Sequence, residues 1–349
     1  MKIETDIKLD FHNVLIRPKR TTLSSRSQVE LLRNITKFPH SPLTWEGIPI
    51  IAANMDTTGT FSVYNELSKH KIVTALHKHY TKEELVEFVK ESGFNSSYAM
   101  YSTGISKDDL EKLKDMSDII ETHFKWICVD VANGYMERIV EFCKSLREMF
   151  PRHILVAGNV VSREMTEELI INGKVDVVKV GIGPGSACTT RLKTGVGMPQ
   201  LSAIMECADA AHGVGGYIIG DGGITCPGDM AKAFGGGADF VMAGGLFSGH
   251  DENPGEIIED DDGKKYKLFY GMSSEHAMKK HYGSKATYRS SEGRVLKVPY
   301  KGPLLKTVED YLGGLRSCCT YINAKCIKNM PKCTTFVRVS QQLNMSLVS

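Results

Sequence analysis

Residues 181–191 are the part of the sequence best suited to chemistry. They read Gly-Ile-Gly-Pro-Gly-Ser-Ala-Cys-Thr-Thr-Arg, so three glycines and a proline precede the thiol of Cys188. The β-branched run at 175–180 is typical of a buried parallel strand. A thiol after such a strand lies where α/β scaffolds place a nucleophile, although a free cysteine is often only a packed apolar residue. The glycine density and the polar residues that follow favour the nucleophile.

Two Gly-Gly pairs, at 222–223 and 244–245, follow the seventh and eighth predicted strands. Barrel enzymes often bind phosphate in these two loops, through backbone N–H groups and a helix end. The alternative is tight turns that merely need positive φ. Asp221 could accept both ribose hydroxyls or could only cap the next helix. Ser186 and the segment 271–273 could add hydrogen-bond donors.

Thr190 is the candidate proton donor. An attack by Cys188 that expels an amine needs a proton at the leaving nitrogen. Thr190 could deliver that proton if a carboxyl group recharges it, and Glu292 is the candidate for that group. The local pattern alone gives this pairing little support, because an exposed Ser-Glu-Gly is usually a solvated turn.

His77 and His79 close the second predicted strand, with Lys78 between them. Histidines two apart in a strand share a face and could bind a metal. No third ligand follows at short spacing, so a transition-metal site is not favoured here. Lys78 could contact an anionic cofactor.

The composition is that of an ordinary globular protein. The 349 residues are 42% hydrophobic, and 43 basic residues against 41 acidic ones give a net charge of +2, which does not favour nucleic acid as a partner. No apolar run approaches the roughly 20 residues that cross a bilayer. Acidic residues at 1–6 argue against a targeting peptide. The nine cysteines are scattered, so we expect free thiols in the cytoplasm.

Strand-like and helix-like runs alternate along the chain. The strand-like runs are 48–54, 72–77, 97–102, 126–131, 154–158, 175–180, 217–220 and 240–243. The helix-like runs are 61–70, 82–91, 107–120, 136–150, 163–172, 200–212 and 227–234. This alternation predicts a parallel sheet, and eight units in about 250 residues predict a closed (β/α)8 TIM barrel of the α/β class. An open doubly wound sheet is the alternative, which no GxGxxG-plus-acid unit favours.

We expect a single barrel domain over 1–349. An N-terminal extension would occupy 1–47. A mobile flap at 251–303, with an acidic hairpin-like stretch at 259–264, would follow the eighth strand on the side of the barrel where the chemistry is expected.

Residues 183–191 resemble the cysteine loop of the IMP dehydrogenase/GMP reductase family. The segments 221–223, 244–245 and 270–274 occur in that family's order. Four other segments resemble its reductase branch in particular: 17–20, 49–56, 77–80 and 130–135.

Two features separate the two branches. IMP dehydrogenases usually insert a regulatory CBS pair between early strands, but the second and third strands here are only about two dozen residues apart, so no CBS domain is expected. Segment 288–293 is also in the reductase style and lacks the Arg-Tyr pair of dehydrogenase flaps.

The resemblance implies an NADPH-dependent reductive deamination of GMP to IMP and ammonia, in purine nucleotide salvage. Cys188 would add to C2 of the purine, Thr190 and Glu292 would protonate the departing ammonia, and hydride would reduce the resulting thioimidate. The alternatives are an IMP dehydrogenase that forms XMP, a catalytically silent nucleotide-binding barrel, and a flavin-dependent barrel oxidase.

The resemblance also assigns residues to each ligand. Those implied for GMP are Ser186, Asp221, Gly222, Gly223, Gly244, Gly245, Gly271, Met272, Ser273, Arg289 and Gly293. Those implied for NADPH, some from a neighbouring subunit, are Ser25, Arg26, Lys78, Asp130, Val131, Ala132, Ile182, Gly183, Tyr288, Arg289, Ser317, Cys318, Cys319 and Thr320. Carbonyls of Gly183, Gly185 and Cys188, with Arg191 close by, resemble the family's K⁺ site. A homotetramer is expected by resemblance alone.

Overall fold

The computed structural model describes residues 3–282 and 291–340. Its centre is a closed barrel of eight parallel strands, which confirms the predicted (β/α)8 fold. The strands, numbered β1 to β8, are Trp45–Ala52, Ile72–Ala75, Ala99–Thr103, Trp126–Asp130, Ile154–Val160, Val177–Val180, Tyr217–Asp221 and Phe240–Ala243. Each strand pairs in parallel with the next, and β8 closes the barrel by pairing with β1.

One main helix follows each strand among the described residues. Numbered α1 to α8, these main helices are Phe61–Leu67, Lys82–Phe88, Lys107–Asp115, Glu137–Met149, Arg163–Ile171, Gln200–Gly213, Pro227–Gly235 and Leu304–Ile322. The prediction of one helix over 107–120 was wrong, because the chain leaves helical geometry at Met116 and a second helix, Ser117–His123, follows. Helix α8 was not predicted, because the insertion after β8 separates it from the strand it follows.

Aromatic side chains plug the amino-terminal end of the barrel. Trp45, Trp126 and Phe240 begin three strands, and their ring centroids lie 5.0 to 5.8 Å apart. All three are buried, and β4 lies across the barrel from β1 and β8, so the rings fill the interior. Because this end is filled, the open space lies at the carboxyl ends of the strands, as in other barrels of this type.

Two short strands from the first and last parts of the described residues form one antiparallel pair. Strand Val14–Ile16 lies against Phe336–Arg338, and we call this pair the terminal clasp. A further short strand, Arg33–Ile35, pairs antiparallel with the start of β1. The N-terminal extension is therefore packed onto the barrel.

The insertion after β8 is more regular than the sequence suggested. A three-stranded antiparallel sheet is formed by Ile258–Glu259, Lys265–Tyr270 and Val295–Pro299, and the helix Glu275–Tyr282 lies between the last two. The acidic hairpin is confirmed, since the first two strands pair and Asp260 Oδ1 accepts the N–H of Lys264 at 2.8 Å. Mobility of the insertion stays a prediction.

Among the described residues, no helix has both the length and the apolar character that spanning a membrane requires.

Candidate active site

Cys188 lies in the loop after β6 and begins a short chain of hydrogen bonds. Its Sγ is 3.2 Å from Thr190 Oγ1, which donates to Glu292 Oε2 at 2.7 Å. Thr190 is the first residue of the helix Thr190–Thr194, and Glu292 comes from the insertion. Thiol, hydroxyl and carboxyl group thus form a continuous hydrogen-bonded series, which is the arrangement a proton relay needs.

Backbone contacts hold the two segments together. Cys188 forms an antiparallel bridge with Gly293, and Thr189 N donates to the carbonyl of Glu292 at 2.7 Å. A Cβ on Gly293 would lie 2.7 Å from Ser274 N, so only glycine permits this approach. The position of Glu292 relative to Cys188 is therefore fixed by the main chain.

The other buried cysteines differ from Cys188. Burial raises the pKa of the Cys143 and Cys207 thiols to about 12, so both stay protonated at neutral pH. Cys188 is only partly buried and lines a cavity at the carboxyl ends of the strands. Of the two interpretations of this cysteine, packing or chemistry, its position fits chemistry.

The cavity has a volume of about 280 Å³ and joins most of the predicted GMP residues. All of them within the described part of the chain line it: Ser186, Asp221, Gly222, Gly223, Gly244, Gly245, Gly271, Met272, Ser273 and Gly293. Arg289, the remaining predicted GMP residue, lies outside the described residues.

The two glycine pairs serve different geometric needs. Gly222 and Gly223 have φ of +88° and +78°, so their turn requires glycine. Gly244 has φ of −100°, but a Cβ there would lie 2.7 Å from Met55 Sδ. One pair is thus explained by conformation and the other by close approach, and both expose backbone to the cavity.

A buried lysine that sequence analysis missed lies in the cavity wall. Lys179 Nζ on β6 contacts Asp130 Oδ1 at 2.5 Å and Asp221 Oδ2 at 2.9 Å, and its side chain is 3% exposed. Burial opposes the charge, but the two carboxylates outweigh it and raise the pKa of Lys179 above its usual value. The signal was present, since one lysine within a valine-rich buried strand must find a partner.

Asn159, on β5, completes this network and was also missed. Its Nδ2 donates to Asp221 Oδ2 at 2.8 Å and to the carbonyl of Gly181 at 2.7 Å. Asp221 Oδ2 is therefore occupied, whereas Asp221 Oδ1 has no hydrogen-bond partner among the described residues. That oxygen is the one positioned for a ligand hydroxyl.

Replacing Lys179 by methionine is expected to lower the free energy of unfolding by about 3 kcal/mol, because the partly exposed carboxylates of Asp130 and Asp221 lose the buried cation between them. Urea denaturation would measure the change. Lys144→Met is the matched control, since Lys144 is exposed on α4, and should change stability little. A loss for Lys179→Met no larger than that of the control would contradict the role assigned to this lysine.

Asp10 connects the N-terminal extension to the cysteine loop. Its Oδ1 accepts the N–H of Gln200 at 2.6 Å, and its Oδ2 lies 3.1 Å from Arg191 Nη1. Arg191 Nη2 donates to the carbonyl of Met198 at 2.6 Å. The guanidinium of Arg191 is thus held away from the cavity.

A smaller pocket adjoins the main cavity and contains Lys78. Asp130, Met272 and Asn54 line both spaces. Lys78 Nζ lies 2.9 Å from Asp109 Oδ1. The predicted cofactor residues that line the main cavity are Asp130, Val131, Ala132, Ile182 and Gly183. An elongated ligand could therefore extend from Cys188 towards Lys78.

The other predicted cofactor residues do not reach this cavity. Ser25 and Arg26 belong to an exposed turn against which α8 packs, and Ser317, Cys318, Cys319 and Thr320 lie on α8. Within the described ranges, none of these six residues lines either space. Tyr288 and Arg289 lie outside the described residues.

A cluster of histidines and one aspartate lies beside the smaller pocket. Asp56 follows β1, His79 follows β2, and His281 is on the helix Glu275–Tyr282. One donor atom from each lies within 4.8 Å of the others. Sequence analysis did not predict that Asp56 and His281 lie next to His79, because both are distant from it in the sequence.

Fold and cavity together define an α/β-barrel protein with an accessible thiol at the carboxyl ends of its strands. The model of the family described as IMP dehydrogenase / GMP reductase domain matches residues 8–345. The chain belongs to this family.

Individual relatives are similar over nearly the whole length. Proteins named GMP reductase from Tolumonas auensis, Shigella boydii serotype 18 and Escherichia coli O81 are each 57% identical over 345 residues. These alignments cover 99% of this chain and 98% of each relative. The resemblance stated from the cysteine loop is thereby confirmed.

Proposed function

We propose that this chain is a GMP reductase, which converts GMP and NADPH to IMP, ammonia and NADP⁺. The observation that carries the proposal is the hydrogen-bonded series Cys188, Thr190 and Glu292, facing a cavity with backbone exposed at two glycine pairs. The names of the 57% identical relatives support the same reaction. In purine metabolism, such an activity would return guanine nucleotides to IMP.

GMP would bind with its phosphate against the glycine pairs at 222–223 and 244–245. Backbone N–H groups at strand ends suit a phosphate group. Asp221 would accept the ribose hydroxyls through Oδ1, because Lys179 and Asn159 already occupy Oδ2. Ser186, segment 271–273, Arg289 and Gly293 would complete the site and bring C2 of the purine towards Cys188.

The first half of the reaction removes ammonia. Cys188 passes its proton through Thr190 to Glu292, and the resulting thiolate adds to C2. Glu292 then returns this proton through Thr190 to the amino nitrogen, for which the 2.7 Å Thr190–Glu292 contact is suited, and the bond between C2 and that nitrogen breaks. A thioimidate between Cys188 and the purine remains.

The second half reduces the thioimidate. NADPH, when bound, supplies the hydride for C2. The C–S bond then breaks, so Cys188 returns to the thiolate and IMP is released. The cavity walls align the purine and the nicotinamide for this transfer.

NADPH would occupy the smaller pocket as well as part of the main cavity. Asp130, Val131, Ala132, Ile182 and Gly183 would contact it near Cys188, and Lys78 would bind a phosphate group. Ser25, Arg26 and 317–320 lie elsewhere on the chain, so they would serve the cofactor bound to a second copy. Such sharing needs more than one copy of the chain, and the homotetramer itself is proposed by resemblance only. Tyr288 is proposed by resemblance only.

A K⁺ ion would be held by carbonyl oxygens of Gly183, Gly185 and Cys188. Carbonyl oxygens are hard donors that suit such a cation, and each can accept more than one contact. The Arg191 side chain has no lone pair to offer and is bound to Asp10 and Met198, so it would border the ion without coordinating it.

Loss of NADPH absorbance with GMP, compared with other purine nucleotides, tests the proposal. We expect oxidation of NADPH only with GMP, with one ammonia formed per NADPH consumed. Formation of NADH from IMP and NAD⁺, without GMP-dependent oxidation of NADPH, would instead identify an IMP dehydrogenase. No reaction in either assay would favour a nucleotide-binding barrel without activity.

A further inference from the structure

Asp56 is the centre of the histidine cluster beside the smaller pocket. Its side chain is 1% exposed, and its Oδ2 lies 2.5 Å from His281 Nε2 and 3.1 Å from Lys280 Nζ. Tyr270 donates to the same oxygen at 3.2 Å. Asp56 Oδ1, in contrast, is buried without a hydrogen-bond partner in the described part of the chain. A buried carboxylate oxygen without a partner is costly, so this oxygen is suited to a ligand.

Two imidazoles face this carboxylate. The rings of His79 and His281 are stacked, with centroids 3.5 Å apart and planes 10° from parallel. His77 Nδ1 accepts the backbone N–H of His79 at 3.3 Å, and the His77 ring stacks on Tyr80. These contacts of His77 help to hold the loop that carries His79 in place.

We propose that Asp56, His79 and His281 form a binding site for a borderline transition-metal ion such as Zn²⁺. Two imidazoles and one carboxylate are a donor set that such ions take, with further positions open. The metal would replace the proton between His281 and Asp56 and would displace the Lys280 ammonium group. Both rings would rotate so that their lone pairs converge on one ion.

The site would join three separate parts of the fold. Asp56 and His79 are on barrel loops, whereas His281 is on the helix Glu275–Tyr282 of the insertion. Glu292 belongs to the same insertion. Asp56 N donates to Met272 Sδ at 3.4 Å, and Met272 lines both the cavity and the smaller pocket. A bound ion would therefore fasten the insertion onto the barrel mouth, close to the reacting groups.

Titration of the purified protein with Co²⁺, followed by visible absorption, tests the site. We expect one equivalent to bind with a d–d spectrum of nitrogen and oxygen ligands. A near-ultraviolet sulfur-to-cobalt band would instead place the ion on a thiolate such as Cys188 and would overturn the proposal. Failure of the wild-type protein to take up one equivalent would also overturn it, whether or not any variant folds.

Three variants make the test specific. His281→Gln is expected to weaken Co²⁺ binding at least tenfold, and Lys280→Gln is expected to strengthen it, because a competing cation is removed. His12→Gln, at an exposed histidine outside the cluster, is the matched control and should bind as the wild type does. Equal affinity of His281→Gln and the control would contradict the assignment. The readout is metal binding, so it is independent of whether GMP is the substrate.

Discussion

The Cys188→Ala variant is expected to lose all turnover of GMP but still to bind the nucleotide. This result is expected because the thiol forms the bond to C2 in the proposed mechanism, whereas the surrounding glycine pairs and Asp221 provide the binding contacts. The side chain is small and partly buried, so the free energy of unfolding should fall by no more than about 1–2 kcal/mol. Steady-state kinetics and equilibrium binding of GMP measure the two effects separately.

Cys226→Ala is the matched control, because Cys226 is an exposed cysteine that precedes α7. It should keep wild-type turnover. Mass spectrometry of the wild-type enzyme quenched during turnover should find the purine on the peptide that contains Cys188. Substantial oxidation of NADPH by Cys188→Ala would rule out the covalent mechanism.

Replacing Glu292 by glutamine is expected to reduce GMP turnover by about 100-fold or more, the usual size of a general acid–base contribution. The amide cannot recharge Thr190 with a proton, although it can keep the hydrogen bond. Hydride transfer needs alignment and not this proton, so IMP with NADP⁺ should still give a burst of NADPH in a single turnover. Stopped-flow absorbance measures both reactions.

Glu256→Gln is a suitable control for this variant, since Glu256 is exposed in the same insertion. It should leave burst and turnover unchanged. If Glu292→Gln lowers burst and turnover equally, Glu292 positions the ligand and does not move protons.

The sequence predicted the barrel because its signals are local. Each strand is a short apolar run closed by polar or glycine residues, and such runs as 154–158 or 240–243 can be recognised without knowing their neighbours. Strand ends were less certain. Val175 and Asp176 were assigned to a strand, but Asp176 is buried and its Oδ2 lies 2.5 Å from Arg147 Nη2, which is a tertiary contact that no local pattern contains.

The site divides in the same way. The glycine pairs and Cys188 could be found from strand ends alone, because a barrel brings all those ends to one face. The contact between Thr190 and Glu292 joins residues from different segments, and it was predicted mainly from the family resemblance. The cluster of Asp56, His79 and His281 was not predicted at all, since each residue comes from a different loop or helix and no spacing relates them.

The terminal clasp has a consequence for the order of folding. Its two strands, Val14–Ile16 and Phe336–Arg338, are far apart in the sequence, so they can pair only after Phe336–Arg338 has been synthesised. Contacts between such distant segments form slowly, because the entropy of closing a long loop must be overcome first. Asp10, which contacts Arg191 and Gln200, belongs to the same early segment. The N-terminal segment is therefore synthesised before the residues that it contacts. Its contacts with the loop that carries Cys188 can form only after that loop has been made.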